Sequence, residues 1–439
     1  MAKRNPPKGP KRRDLGAQDS PDVGDVADSV ATSAGAVREP PSFLRRRRSL
    51  WLTMAAFSLI AAFVFFLWRG RAGALDGLGD LPRGVSTDEL NLLVVTLDTT
   101  RADRLGPYGG EAVATPNFDA LAERGVVFER AVTPAVLTLP AHSSIFTGHT
   151  PAAHGVRDNG GFYLSDKATT LAEILSARGF ATGGFVSAYV LDRRWGIAQG
   201  FDRYFDDFDL SRIKSMSMGD IQRPGDATIE QALSWLDGWR VGGANRDRRF
   251  FGWVHLYDPH APYSPPEPFA SQYAGKPYNG EIAWTDALLG RLWEGLRARG
   301  LAERTIVAVL ADHGESLGEH GETGHGFFLY EPTTHVPFFL ATPYSGLAGV
   351  RVPSVVRSFD LLPTALQLLG LADTTPAGIE GRSLVPMLER RESGNKAEVP
   401  RSGYSEAFYS RFHYGWSELR AIRTERWHFI EAPRPELYD

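Results

Sequence analysis

From residue 91 onward the chain alternates two apolar patterns. Dense short runs such as "NLLVVTLD", "FFGWVHLYD" and "TIVAVLADHG" are apolar at nearly every position and end in polar clusters. A run with no polar side predicts a strand buried on both faces. Between them lie stretches with apolar residues at helical spacing: "TPNFDALAERG", "TTLAEILSARG", "ATIEQALSWLDGW" and "GEIAWTDALLGRLWEGLRARG". In the first, Thr115 stands as N-cap, Pro116 at the first helical position and Gly125 past the end. "FATGGFVSA" reads as a further strand. Strands alternating with helices predict an α/β fold whose mostly parallel sheet is covered on both faces. From about residue 400 the pattern changes, and "LRAIRTERWHFIEA" predicts a hairpin in a smaller antiparallel sheet.

The first 90 residues read differently. Residues 1–48 are rich in Pro, Gly, Ser and charge, too polar to offset their ordering entropy, and predict a disordered basic tail ending in "RRRR". Residues 49–68, "SLWLTMAAFSLIAAFVFFLW", carry no charge. As a helix they would span about 30 Å, a bilayer core. Trp51 and Trp68 suit its two interfaces. The basic excess before the span predicts a cytoplasmic tail and a periplasmic remainder, anchored in the inner membrane by one pass. The glycine-rich residues 69–90 read as a linker, residues 91–395 as the main domain and 396–439 as a small-sheet subdomain.

Composition narrows the chemistry. The chain has 439 residues, 43% hydrophobic, and a formal net charge of -4, so no basic excess points to nucleic acid. It has 0 cysteines, which excludes disulfides, thiol nucleophiles and cysteine metal sites. Ligands of parallel α/β sheets sit beyond the carboxyl ends of the strands. Here Asp98 ends one run, Asp312 and His313 another, and His255, Asp258 and His260 a third. Carboxylates and imidazoles delivered to one crevice suit a divalent cation such as Mn or Zn, with Ca less well matched to histidine. "DHGESLGEHGETGHG" adds His320 and His325 among glycines that let backbone approach a ligand.

Seven stretches together carry a resemblance: "LDTTRADRLGPYG", "TPNFDALAERGVVFERAV", "TLPAHSSIFTGHTPAAHGVRDN", "HLYDPHAPY", "ADHGESLGEHG", "HGFFLYEPTTHVPF" and "SFDLLPTALQLLG". From about residue 91 to 439 the chain resembles the sulfatase family of the alkaline phosphatase superfamily. The resemblance implies an alkaline-phosphatase-like sandwich, a small C-terminal antiparallel sheet and one catalytic divalent metal ion. The family's nucleophile motif is Cys or Ser, any residue, Pro, any residue, Arg. Here it reads Thr138, Leu139, Pro140, Ala141, His142. Thr138 thus stands at the nucleophile position and His142 at the arginine's. By the same correspondence Asp98, Asp312 and His313 match metal ligands, with Thr138 and Thr99 completing the shell. His260 matches the histidine that meets the leaving oxygen, His325 an active-site lysine, and Asn159 a polar contact to the substrate. His154, His255 and His320 are expected to support these groups, and Arg101 and Asp103 to form a structural pair.

Two departures set the expected chemistry. Threonine would oxidise to a ketone, so no formylglycine is expected. Thr99 and His313 replace the usual second Asp and an Asn, as on the phosphate-specific side of the superfamily. The implied activity is hydrolysis of sulfuric or phosphoric esters, small or attached to glycan or lipid, with phosphate and phosphonate esters favoured. The alternatives are a phosphoethanolamine- or phosphoglycerol-type transferase, or an inactive sulfatase-like binding protein. Family members continue beyond a motif like "PELYD", so the resemblance implies a further element there or a short natural end.

Overall fold

The computed structural model describes residues 54, 58, 75–211, 217–240, 242–389 and 401–439. Among the described residues no helix is long and apolar enough to cross a membrane. The predicted tail lies outside the described residues, as does the predicted span 49–68 apart from Met54 and Ser58.

The core is a nine-stranded sheet. In chain order its strands are β1 Asn91–Leu97, β2 Gly125–Val132, β3 Ala181–Phe185, β4 Arg203–Phe205, β5 Phe250–Leu256 and β6 Thr305–Ala311. A two-residue pair follows, β7 Ser316–Leu317 and β8 Thr323–Gly324. The large sheet is completed by β9 His335–Val336, β10 Phe338–Ala341 and β11 Val350–Arg357. The spatial order is β11-β2-β10-β6-β1-β5-β3-β4, with β9 beside β2. β1 is parallel to both β5 and β6, and β10 runs antiparallel between β2 and β6. Every residue of β1, β5 and β6 is buried, as their unbroken apolar runs require. Gly183 of β3 faces Gly252 of β5; a Cβ on Gly183 would press on the Trp235 ring at 2.8 Å, and one on Gly252 would crowd Leu93 Cδ1 at 2.9 Å and touch the same ring at 3.5 Å. This paired gap seats the tryptophan of a covering helix against the sheet.

Helices α1 Pro116–Ala122, α2 Thr138–Thr147, α3 Leu171–Ala177, α4 Gly225–Leu236, α5 Pro277–Ala298 and α6 Leu361–Leu368 accompany the sheet. The predicted cap of α1 is corrected. The Thr115 hydroxyl accepts from the Gly106 amide instead, and the buried Asp286 carboxylate of α5 takes the Asn117 and Phe118 amides at 3.0 and 2.8 Å. A cap brought from a distant helix leaves no local signal. Gly125 is the first residue of β2, with Leu340 carbonyl so close that no Cβ fits.

The small sheet forms where the pattern changed: β12 Gly403–Ala407, β13 Leu419–Arg423, β14 His428–Glu431 and β15 Glu436–Tyr438, antiparallel throughout. Ala407, Leu419, Ala421 and Ile430 pack it on Val136 and Leu329 of the main body. Residues 68–439 form one compact unit, so the boundary expected at 395 separates layers of one body. The described part of the expected linker is anchored to this body. Leu78 and Leu90 are fully buried in the main core, and the Asp80 amide bonds the Ser345 hydroxyl at 3.0 Å. Glycine content masked two anchoring leucines.

Glu281 of α5 accepts from the Ser264 amide at 2.7 Å, and burial pushes its carboxyl up to about 8. The unfolded chain loses that proton near 4.5. The contribution of protonated Glu281 to stability is therefore full below about 4.5 and is lost as pH rises through about 8. Glu281→Gln should flatten the decline of stability across that window, measured by urea unfolding at stepped pH. An unchanged slope would show that Glu281 does not hold its proton in the folded state.

Candidate active site

The site lies at the carboxyl ends of three adjacent strands. Asp98 and Thr99 follow β1, Asp312 and His313 follow β6, and His255 lies near the end of β5. Their register is locked by backbone bonds from the Asp98 amide to Leu256 O at 2.9 Å and from the Asp312 amide to Leu97 O at 3.4 Å. All five side chains are buried. Oδ1 of Asp98 and Oδ2 of Asp312 have no hydrogen-bond partner, and neither does the Thr99 hydroxyl. Burial pushes both Asp carboxyls well above the usual range, and the Asp98 charge adds to the effect on Asp312. Thr99 holds φ 48, a strained value for a β-branched residue. Its carbonyl accepts from Tyr278 Oη at 2.8 Å, and its amide supports the Asp312 carboxylate.

Thr138 opens α2, after Leu137 in extended conformation. The residue is 1% exposed, and its hydroxyl lies 3.3 Å from Asp98 Oδ2 and 3.4 Å from His313 Nε2. His313 Nδ1 donates to Gly314 O at 3.0 Å, which leaves the Nε2 lone pair facing the site. Asp98, Asp312 and His313 bring ligand atoms within 4.8 Å of one another. A second group, His142, His255 and Asp312, meets the same distance, but both His142 nitrogens are already bonded. Two buried carboxylates with orphaned oxygens, a hydroxyl and a free imidazole lone pair fit a divalent cation, which would neutralise charges that otherwise need protons.

His142 is engaged at both ring nitrogens. It is fully buried, donates from Nδ1 to Thr138 O at 2.8 Å, and accepts at Nε2 from Thr96 Oγ1 at 2.9 Å. Trp253 Nε1 donates to the same Thr96 oxygen at 2.8 Å. His142 therefore braces the first turn of α2 and has no atom left for a substrate. Asn159 is engaged too: its Oδ1 accepts the Leu139 amide at 2.8 Å, capping α2. Leu139's donor is thus spent and Pro140 has none, so the helix start offers Thr138 its dipole and few free donors.

His260 and His325 meet with Nε2 atoms 3.1 Å apart. Nδ1 of His260 faces Ala261 O, and Nδ1 of His325 faces Val136 O at 3.1 Å. Carbonyls only accept, so both Nδ1 atoms carry hydrogen and one further proton would lie between the two Nε2 atoms. Burial, then each ring's histidine neighbour, lowers both to about 3. His325 also lies 4.3 Å from the His313 ring, and His260 stacks on Tyr257 at 4.2 Å.

The remaining expected residues have partners of their own. His255 Nε2 is 3.2 Å from Asp98 Oδ2, His154 bonds the Ser144 hydroxyl at 2.9 Å, and His320 stacks on Tyr330. Arg101 pairs with Asp103 at 2.8 Å and also with Glu319 at 2.7 Å. Glu315 escaped the sequence reading. It is fully buried, and burial, with the Asp98 and Asp312 charges, pushes it to about 8. Its position inside "DHGES" was the available signal.

This geometry, a hydroxyl beside paired carboxylates at the strand ends of an α/β sandwich, makes a candidate ester-hydrolase centre. The sulfatase family model matches residues 90–371, so the chain belongs to the sulfatase family and is an ester hydrolase of that family. It is 28% identical to the ulvan-active sulfatase of Formosa agariphila, with 78% of this chain and 73% of that one covered. It is 25% identical to arylsulfatase A of Homo sapiens, with 68% and 67% covered. Its fold is shared with the phosphonate monoester hydrolase of Agrobacterium radiobacter at a TM-score of 0.64 and 23% identity, over 80% of this chain and 89% of that one.

Asp312→Ala and His313→Ala should each abolish stoichiometric binding of Mn or Zn, because each removes a donor from a site with few. Elemental analysis after gel filtration reads the outcome. Full occupancy in both variants would contradict the ligand set.

Proposed function

We propose that the chain is a metal-dependent hydrolase that uses Thr138 as its nucleophile and prefers phosphoryl to sulfuryl esters. The observation that carries the reading is the Thr138 hydroxyl, buried at a helix start and set 3.3 Å from Asp98 Oδ2 and 3.4 Å from His313 Nε2. Asp98, Asp312, His313 and Thr138, with Thr99, would hold the cation, and their mixed oxygen and nitrogen donors suit Mn or Zn better than Ca. When bound, it would lower the hydroxyl pKa and neutralise the anionic ester.

The chain's own groups account for the proton movements. Thr138 Oγ1 forms a bond to phosphorus as the bond to the leaving oxygen breaks. The hydroxyl proton departs toward Asp98 Oδ2, the acceptor it faces. The leaving oxygen takes the proton held between His260 and His325, which the arriving anion stabilises there. Water then attacks phosphorus, returning a proton to the histidine pair, and the threonine oxygen recovers its own. A threonine sulfate has no neighbouring hydroxyl to expel it, so sulfate turnover would rely on the slower attack of water. Relatives named as sulfatases and a fold shared with a phosphonate monoester hydrolase support an anionic ester as substrate.

Thr138→Ala should lower kcat on an aryl phosphate by about a thousandfold or more. Thr138→Ser should keep roughly a tenth of the activity or better, since it presents a hydroxyl at the same helix end. Phosphate esters should outpace the matching sulfates. Equal activity of the Ala variant, or a faster aryl sulfate, would overturn the proposal.

A further inference from the structure

Among the described residues two that are not glycine hold a left-handed backbone, Thr99 at φ 48 and His320 at φ 54. His320 lies exposed in the loop between β7 and β8. Thr99 is fully buried. A β-branched side chain is poorly suited to this region, so a group outside the residue has to hold it there.

The holder is a phenol. Tyr278, 3% exposed in the first turn of α5, donates from Oη to Thr99 O at 2.8 Å and accepts at Oη from the Arg101 amide at 3.0 Å. One oxygen thus spans the turn, bonding the carbonyl before Thr100 and the amide after it. Its partners are fixed in place. The Arg101 side chain reaches Asp103 Oδ2 at 2.8 Å, Glu319 Oε1 at 2.7 Å and Glu315 O at 3.3 Å, which ties the turn after β1 to the loop after β6. Tyr263 packs edge-on against the Tyr278 ring at 5.4 Å.

The conformation of Thr99 decides what the crevice receives. Its amide supports the Asp312 carboxylate, its hydroxyl has no hydrogen-bond partner, and Asp98 directly precedes it. A change of φ rotates the Thr99 amide relative to its carbonyl. The bonds to Asp312 and to Tyr278 cannot both survive that rotation.

We propose that Tyr278 is a positioning residue whose hydroxyl holds Thr99 left-handed and so shapes the cation site. The inference rests on the reading of Asp98, Thr99 and Asp312 as cation ligands. Calorimetric titration of the chelator-treated full chain in detergent with Mn tests it. Tyr278→Phe keeps the ring, removes one oxygen and should weaken Mn binding about tenfold. Asparagine adopts the left-handed region more readily than threonine and keeps a side-chain oxygen. Measured against Thr99→Asn alone, adding Tyr278→Phe should therefore cost less than about threefold. Unchanged Mn affinity in Tyr278→Phe overturns the inference, and so does an equal loss in both backgrounds.

A crystal structure of metal-free Tyr278→Phe separates the clamp from the metal reading. Thr99 should leave the left-handed region there. A φ still near its present value overturns the clamp whatever the titration shows. If the wild-type chain binds no Mn but Thr99 moves in the variant, the ligand reading fails and the clamp stands.

Discussion

Two carboxylates that cannot both be charged without help stand on neighbouring strands at the heart of this protein. Asp98 and Asp312 are fully buried, each keeps an oxygen without a partner, and each is pushed toward its protonated form. The parallel pairing of β1 with β6 forces them together, because the two runs end in register at Leu97 and Ala311. Everything around the pair is arranged to tolerate that proximity. Backbone amides of Thr99 and His313 support Asp312, His255 supports Asp98, and the strained Thr99 gives up ordinary geometry to do so. Such a pair destabilises the empty fold and would become favourable with a cation, as the proposed metal site requires.

The helix that carries Thr138 is held in the same spirit. All ten residues of α2 are buried, so its position is set by packing on every side. His142 reaches back to the Thr138 carbonyl and down to Thr96 on β1, tying the helix start to the strand that bears Asp98. Asn159 closes the next amide. The nucleophile candidate is thus fixed by a helix, a strand and a loop. Rigid support of this kind is what a reaction demanding in-line geometry requires.

Much of this was legible in the residues. Fully apolar runs ending in Asp98, Asp312 and His260 gave the parallel strands and the crevice, because burial on both faces leaves polar residues only at the ends. The changed pattern near residue 400 gave the small sheet. What stayed hidden depends on partners distant in sequence. The cap of α1 comes from Asp286, on another helix. His142 occupies a position that suggested substrate contact, yet Trp253 and Thr96 close around it. Leu78 and Leu90 looked like linker residues because nothing local announces the core they enter.

The account turns on where the substrate's phosphorus goes first. Rapid acid quench of the enzyme during turnover of a radiolabelled phosphate monoester, followed by proteolysis and peptide mapping, measures this directly. Phosphothreonine at residue 138 is the predicted result, with loading lost in Thr138→Ala. Label on Ser143 or Ser144, or turnover that leaves no label on the protein while water attacks the ester directly, would contradict it.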